Sequence, residues 1–193
     1  MKKILFSILT FSFLALPVLA DDATLTTNPV MTAMPSLTIA PDGRSAGMGD
    51  VGVASTPDVY SSHWNNAKYA FIKEDVGIGM SYVPWLKDLG VGDMNLLNLS
   101  GYKRINSRSA IAASLTYFSL GSIEFTNEDG TSNGNHNPNE FGVDISYSMK
   151  LSDDFSIGAT GRYIRSDLTQ GVDVGTSTTH AGNAIAADLG MYY

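Results

Sequence analysis

The chain has 193 residues, carries a formal net charge of −7 and contains no cysteine. No disulfide can stabilise its fold, so packing and hydrogen bonds have to do so. The acidic balance weighs against nucleic-acid binding, because phosphate groups are bound by cationic surfaces.

The first 20 residues, MKKILFSILTFSFLALPVLA, have the pattern of a secretory signal peptide. Lys2 and Lys3 precede an apolar run, and Pro17 is followed by small residues that end at Ala20. The run is short for a membrane-spanning helix, so cleavage is favoured over an N-terminal anchor. The mature protein is therefore predicted to be exported.

A glycine motif follows in the run GMGDVG, which matches the dinucleotide-binding pattern G-x-G-x-x-G at Gly47, Gly49 and Gly52. Such a site needs a strand before the glycines and a helix that opens within them. Pro41 and Pro57 disfavour both elements, and the nucleotide interpretation is weak. The glycines are predicted to form a compact turn, because glycine permits positive φ and close backbone approach.

The whole segment of residues 21–75 is too rich in glycine and proline for a spanning strand. Its apolar side chains need cover, and a barrel lumen provides it, since irregular backbone is tolerated where lipid does not reach it. We therefore predict a structural hatch inside or under a barrel. Trp64, Asn65 and Asn66 are predicted to belong to this hatch, together with the three glycines.

Period-two alternation of apolar and polar residues predicts six strands after this segment. The alternation is clearest in FGVDISYSMK, residues 141–150, where every second residue is apolar. The predicted strands cover residues 76–82, 96–104, 109–120, 141–150, 155–164 and 184–193.

Several of these strands are about ten residues long, which matches a tilted span of a bilayer. One face is aliphatic and aromatic, and the other carries Gly, Ser, Thr and single charges, as in the interior of an outer-membrane barrel. The sequence thus predicts an all-β fold, an antiparallel transmembrane β-barrel. Asp144, Arg162 and Asp188 are predicted to face the lumen, where a structural polar ladder is favoured over a conduit.

Short and long connections alternate between the strands. Two are tight and three are long and polar: residues 104–108 and 151–154, and residues 83–95, 121–139 and 166–183. Outer-membrane barrels have short periplasmic turns and long outer loops. The alternation therefore predicts that residues 21–75 begin on the periplasmic side.

The stretch IAPDGRSAGMGDVGVASTPDVYSSHWNNAKYAF, residues 39–71, resembles the N-terminal signature of the PorV family. These are outer-membrane proteins of the type IX secretion system of Bacteroidota, similar to the FadL-type fatty-acid transporters. The signal peptide, the glycine-rich run and the strand pattern agree with the resemblance over the whole chain.

The resemblance implies a non-enzymatic outer-membrane protein that binds the C-terminal domain of secreted cargo and shuttles it to the cell-surface attachment complex. The implied partners are cargo domains, subunits of the translocon and of the sortase-like attachment complex, and outer-membrane lipid. No cofactor and no nucleic acid are expected. An alternative is a FadL-like transporter of hydrophobic small molecules; a lipid A deacylase is a third, which no nucleophile constellation supports.

Two features depart from the family pattern. Asn65-Asn66-Ala67 stands where the family usually has Asn-Pro-Ala. Six strands are also fewer than the roughly eight of the smallest single-chain barrels, so a truncated N-terminal half is expected. The predicted division is a signal peptide in residues 1–20, a periplasmic or luminal hatch in 21–75 and a partial barrel in 76–193.

Metal sites are not predicted. Residues 129–140, DGTSNGNHNPNE, partly match a calcium loop, but Thr131 stands where Asp or Asn is expected, and a solvated polar loop is favoured. The three histidines lack metal-ligand spacing. His63, next to Trp64, is predicted to be structural.

Overall fold

The alternating segments form six long strands of one antiparallel sheet. The computed structural model describes residues 34–87, 93–126, 130–169, 171, 173–174, 177–178 and 180–193, so the predicted signal peptide lies outside the described residues. The strands are β1 (Val76–Pro84), β2 (Asn95–Arg104), β3 (Ser109–Ser119), β4 (Ile123–Thr126), β5 (Ser132–His136), β6 (Asn139–Lys150), β7 (Ser156–Asp167), β8 (Asp173–Val174), β9 (Ser177–Thr178) and β10 (Gly182–Tyr192).

The large sheet has the order β1-β2-β3-β6-β7-β10, and each neighbouring pair is antiparallel. This confirms all six predicted strands and the antiparallel fold class. In the described residues β1 and β10 are the two edges, so the sheet is not closed on itself there.

Two short hairpins that were not predicted lie within the long connections. β4 pairs with β5, and β8 pairs with β9. The solvated polar loop predicted over residues 129–140 is therefore wrong in part, because Ser132–His136 forms β5. Asp129, the first residue of the partial calcium pattern, lies outside the described residues.

The two faces of the sheet are inverted relative to a soluble protein. Along β6, Ile145 is 67% exposed, whereas its neighbours Asp144 and Ser146 are 5% and 1% exposed. The same alternation continues in β7, where Ile157 is exposed and Ser156 is buried. An apolar outer face and a small, polar inner face are the arrangement of an outer-membrane barrel wall, as predicted.

Residues 34–75, here called the N-terminal segment, cover the inner face. They contain two 3-10 helices, Pro35–Thr38 and Asn66–Phe71, and two short α-helices, α1 (Gly43–Gly47) and α2 (Ser61–Trp64). All described residues belong to one unit, Thr32–Tyr193. Among them, no helix has the length and apolar character needed to cross a membrane.

A small apolar cluster joins the N-terminal segment to β3. Tyr69 and Ile72 pack on Ala110 and Ala112, and Tyr102 of β2 borders the cluster. The two tyrosine rings lie 5.7 Å apart. Small alanines at the inner positions of β3 let the segment approach the sheet closely.

The start of the segment is attached to the sheet through a buried carboxylate. Glu140 is 2% exposed and accepts hydrogen bonds from Ser36 Oγ at 2.6 Å and from Ser166 Oγ at 2.9 Å. Because a buried carboxylate needs donors to offset its desolvation, this contact fixes Ser36 on β6.

Two adjacent asparagines attach the end of the segment to β7 and β10. Asn66 Nδ2 donates to Thr160 Oγ1 at 2.6 Å. Asn65 Nδ2 donates to the carbonyl of Met191 at 2.8 Å. These bonds join residues far apart in the chain and place α2 against the inner face.

Glycines on the inner face provide the space for the asparagines. A methyl group at Gly158 would overlap the Asn66 amide, and one at Gly190 would overlap the amides of Asn65 and Asn66. At Gly158 the methyl would also come within 2.8 Å of the backbone nitrogen of Ala67. The absence of a side chain at these two positions therefore allows the segment to dock.

We predict that Gly158→Ala weakens this docking. The added methyl meets backbone as well as side chain, and overpacking of this kind costs about 1–3 kcal/mol. The free energy of unfolding in detergent and the rate of proteolysis in the N-terminal segment measure the effect.

Gly161→Ala is the matched control on the same strand, because no heavy atom lies within 4 Å of a methyl group placed at Gly161. It should leave both measurements unchanged. Equal effects of the two substitutions would contradict the proposed role of Gly158.

Candidate functional site

The GMGDVG run lies at the end of a helix rather than at its start. Asp42 caps the N-terminus of α1 by accepting from the Ser45 backbone N–H at 2.9 Å. At the other end, Gly49 has φ +79° and its N–H donates to the carbonyl of Ala46, while Asp50 donates to the carbonyl of Ser45. This is a Schellman termination, which presents no helix N-terminus to a phosphate. The geometry contradicts the nucleotide interpretation.

The three glycines differ in what they do. Gly49 supplies the left-handed residue of the termination. Gly52 lies against the indole of Trp64, which a methyl group there would overlap. Nothing lies within 4 Å of a methyl placed at Gly47, so the structure gives no spatial reason for glycine at that position.

A buried lysine, which the sequence analysis missed, holds the loop after the glycines. Lys68 is 0% exposed, and its Nζ donates to the carbonyl of Gly52 at 2.8 Å and to Ser55 Oγ at 3.0 Å. Burial lowers the pKa of Lys68. The Lys68 side chain therefore holds this loop from inside. The sequence signal for a buried lysine was its position among apolar residues in the run NAKYAF, although lysine is rarely buried.

Asp144, Arg162 and Asp188 all lie on the inner face, and Arg162 contacts both carboxylates. Arg162 Nε lies 2.8 Å from Asp144 Oδ1, an ion pair without the alignment of a hydrogen bond, and its NH2 lies 3.4 Å from Asp188 Oδ2. Ser114 Oγ donates to the other Asp144 oxygen at 3.0 Å. The row crosses β3, β6, β7 and β10, so it links four strands by side chains.

A cavity of about 380 Å³ lies between α2 and the strands β7 and β10. Its lining combines the predicted hatch residues Trp64, Asn65 and Asn66 with the predicted luminal residues Arg162 and Asp188. The structure thus brings together two groups of residues that the sequence analysis treated separately. Ser62 and Thr160, which it missed, also line the cavity.

His63 lies at the same cavity, edge-on to the ring of Trp64 with the centroids 4.7 Å apart. Burial, and secondarily the positive charge of Arg162, lower the pKa of His63 from 6.5 to about 4. The imidazole is therefore uncharged at neutral pH and offers one donor and one acceptor.

The closing ligand of the partial calcium pattern is already engaged. The Glu140 carboxylate points to the inner face and accepts from Ser36 and Ser166. In the part of the chain that the structure describes, no three His, Asp or Glu side chains are grouped so that they could hold a metal ion.

The family described as Type IX secretion system protein PorV has a sequence model that matches residues 22–193. No curated protein matches the chain.

We predict that Arg162→Met destabilises the fold by about 3–5 kcal/mol, because it leaves the buried Asp144 without its cation. The free energy of unfolding in detergent measures this. The double variant Asp144→Asn with Arg162→Met should recover most of the loss.

Arg165→Met is the control on the same strand. Its partner contact, to Asp167 at 3.6 Å, is more exposed, and such pairs contribute only about 0–1 kcal/mol. A loss from Arg165→Met as large as that from Arg162→Met would contradict a special role for the buried row.

His63 also predicts a pH dependence of stability. The unfolded chain takes up the imidazole proton near pH 6.5 and the folded protein only near pH 4. The free energy of unfolding should therefore fall as the pH drops from about 6.5 to about 4, by up to about 3 kcal/mol. In the variant His63→Gln this part of the pH dependence should disappear, and an unchanged pH profile would show that another group is responsible.

Proposed function

The chain belongs to the PorV family of type IX secretion system proteins, and from this premise we propose that it is an outer-membrane protein that binds the C-terminal domain of secreted cargo and shuttles it to the cell-surface attachment complex. The single observation that carries the proposal is the family match over residues 22–193. The proposed action is binding and transfer, without catalysis.

The faces of the sheet support a location in the outer membrane. On β10, Ile185, Leu189 and Met191 are 88%, 89% and 72% exposed. Apolar side chains in such a row need an apolar surrounding, and the hydrocarbon of a bilayer provides it.

The long connections support a cargo-binding end of the molecule. The strand ends that they join all lie at one end of the sheet, opposite the tight turns after β2 and β6, and we propose that this end faces outwards. The hairpin of β4 and β5 carries Ile123, which is 40% exposed, and Phe125, whose ring stacks on His136 at 4.6 Å. Exposed apolar and aromatic groups on a loop are suited to protein contacts.

The transporter alternative is less well supported by the inner face. A route for hydrophobic molecules needs an apolar lining. The inner positions of β6 and β7 instead carry Asp144, Ser146, Ser148, Thr160 and Arg162.

We predict that replacing residues 122–136 with a short Gly-Ser linker lowers the retention of a cargo C-terminal domain in a pull-down by about tenfold or more, because contact residues in the hairpin are lost. The measurement uses the detergent-solubilised protein, with labelled fatty acid added in a parallel sample. The thermal midpoint should change little, since the hairpin lies outside the large sheet.

A Gly-Ser replacement of the tight turn at residues 151–154 is the control, because it alters the opposite end and should retain cargo. Retention of fatty acid but not of the cargo domain by the unmodified protein would favour the transporter alternative and overturn the proposal.

A further inference from the structure

We infer that the outer face of β2, at the tight-turn end of the sheet, binds an anionic glycerophospholipid. Its phosphate lies at Lys103, and one of its acyl chains lies over Gly101 and Ala113. The inference rests on the outer-membrane location that the proposed function includes, but it needs no cargo. Strand register, a depression in the apolar face and the charges at this end of the sheet carry it.

Lys103 is an exposed cation within the apolar outer face. Strand register places it between Val76 of β1 and Ile111 of β3, which are both exposed. Directly paired residues of an antiparallel sheet point to the same face, so Lys103 points outwards with them. It lies one residue before the end of β2. A lysine at this depth extends its ammonium group along apolar surface to the level of the lipid headgroups.

The rim of the sheet beside Lys103 carries positive charge, although the chain as a whole is acidic. A cavity of about 490 Å³ lies there, lined by residues 75–76 and 103–107. Lys103 and Arg104 are the cations of this lining, and Asp75 is its carboxylate. Arg104 lies 3.6 Å from the Asp75 carboxylate, so the Lys103 ammonium is the cation of the lining that has no ion-pair partner among the described residues. The excess positive charge attracts an anion.

The tight turn adds hydrogen-bond donors to this rim. The amide oxygen of Asn106 accepts from the backbone N–H groups of Arg108 and Ser109, at 2.8 and 3.0 Å. The oxygen is therefore engaged inside the turn, and the NH2 group is the part of the Asn106 side chain that can donate to a ligand. Lys103, Arg104 and Asn106 all line the cavity, and ammonium and guanidinium groups form strong, charge-assisted hydrogen bonds with phosphate.

Next to Lys103, towards the middle of the wall, the outer face has a depression. Gly101 pairs with Ile78 on one side and with Ala113 on the other, and Ala113 pairs with Ile145. Ile78 and Ile145 are 79% and 67% exposed, so two large side chains flank two small residues. Neighbouring strands lie about 4.8 Å apart, and a floor of two strands has room for an acyl chain.

A glycerophospholipid fits both features, because it joins an anionic phosphate to acyl chains. With the long connections facing outwards, as proposed, the tight-turn end lies in the inner leaflet of the outer membrane, which consists of such lipids. An acidic segment of a soluble protein would match the cations, but its polar backbone would not enter an apolar depression surrounded by hydrocarbon.

Native mass spectrometry of the full chain, released from micelles of an uncharged detergent, tests the inference. Phosphatidylglycerol and phosphatidylcholine with the same acyl chains are the competing probes. The protein should bind phosphatidylglycerol about fivefold more tightly, since one lysine near an anionic headgroup contributes an effect of this size. Lys103→Gln should remove the preference, and Lys103→Arg should retain it.

Lys87→Gln is the matched control, because Lys87 is an exposed lysine beyond the opposite end of β1. It should leave the preference for phosphatidylglycerol unchanged. A loss as large as that from Lys103→Gln would show that net charge, rather than the site, sets the preference, and would overturn the inference.

Ala113→Leu tests the depression without changing charge. The larger side chain fills the floor, so it should weaken the binding of both lipids by about threefold or more while the thermal midpoint stays the same. Ala159→Leu is the matched control, because it places the same side chain on the outer face of β7, away from Lys103. It should leave the affinities unchanged.

Equal affinity for the two lipids in the unmodified protein, or a preference that survives Lys103→Gln, would overturn the inference. Binding of glycerol 1-phosphate as tight as that of the lipid would identify a free phosphate as the ligand, and displacement of the lipid by hexaglutamate would identify an acidic protein segment. Either result would contradict a lipid site. Cargo retention is measured separately, so a failure here leaves the proposed function standing.

Discussion

The contact between the N-terminal segment and the polar inner face is the interaction on which the rest of this structure depends. The apolar side chains of the sheet point outwards, so the inner face has few apolar side chains against which the segment could pack. The segment is held instead by directed hydrogen bonds, from Asn66 to Thr160 and from Ser36 to Glu140. Such bonds require close and exact placement of both partners, and Gly158 provides it by carrying no side chain.

The strands of the sheet could be predicted from the sequence, because successive side chains of a strand point to opposite faces and apolar residues therefore recur at every second position. The internal contacts could not, because they join distant residues whose meeting depends on strand register. Asn66 and Thr160 are 94 positions apart, and Ser36 and Glu140 are 104 apart. The hairpin strand β5, with the sequence SNGNH, was missed because it contains no β-branched residue and no aromatic other than histidine.

The run Asn65-Asn66-Ala67, which differs from the Asn-Pro-Ala that the resemblance led us to expect, has a backbone that proline would also suit. Asn65 is extended, with φ −160° and ψ 103°, and Asn66 is the first residue of a 3-10 helix. These are the positions that a proline at residue 66 would favour. Here side chains hold the same geometry, because Asn65 Oδ1 accepts from the Ala67 N–H at 3.1 Å and Asn66 reaches β7.

The span of the asparagine contacts along the chain has a consequence for the order of folding. Asn65 bonds the carbonyl of Met191, 126 positions further on, so its partner is synthesised much later than Asn65 itself. The N-terminal segment emerges first but has nowhere to dock until β7 and β10 have paired, since long-range contacts form only after the intervening chain has been ordered. Pairing of β7 with β10 must therefore precede docking of the N-terminal segment, because the acceptor of the Asn65 amide is not in place before then.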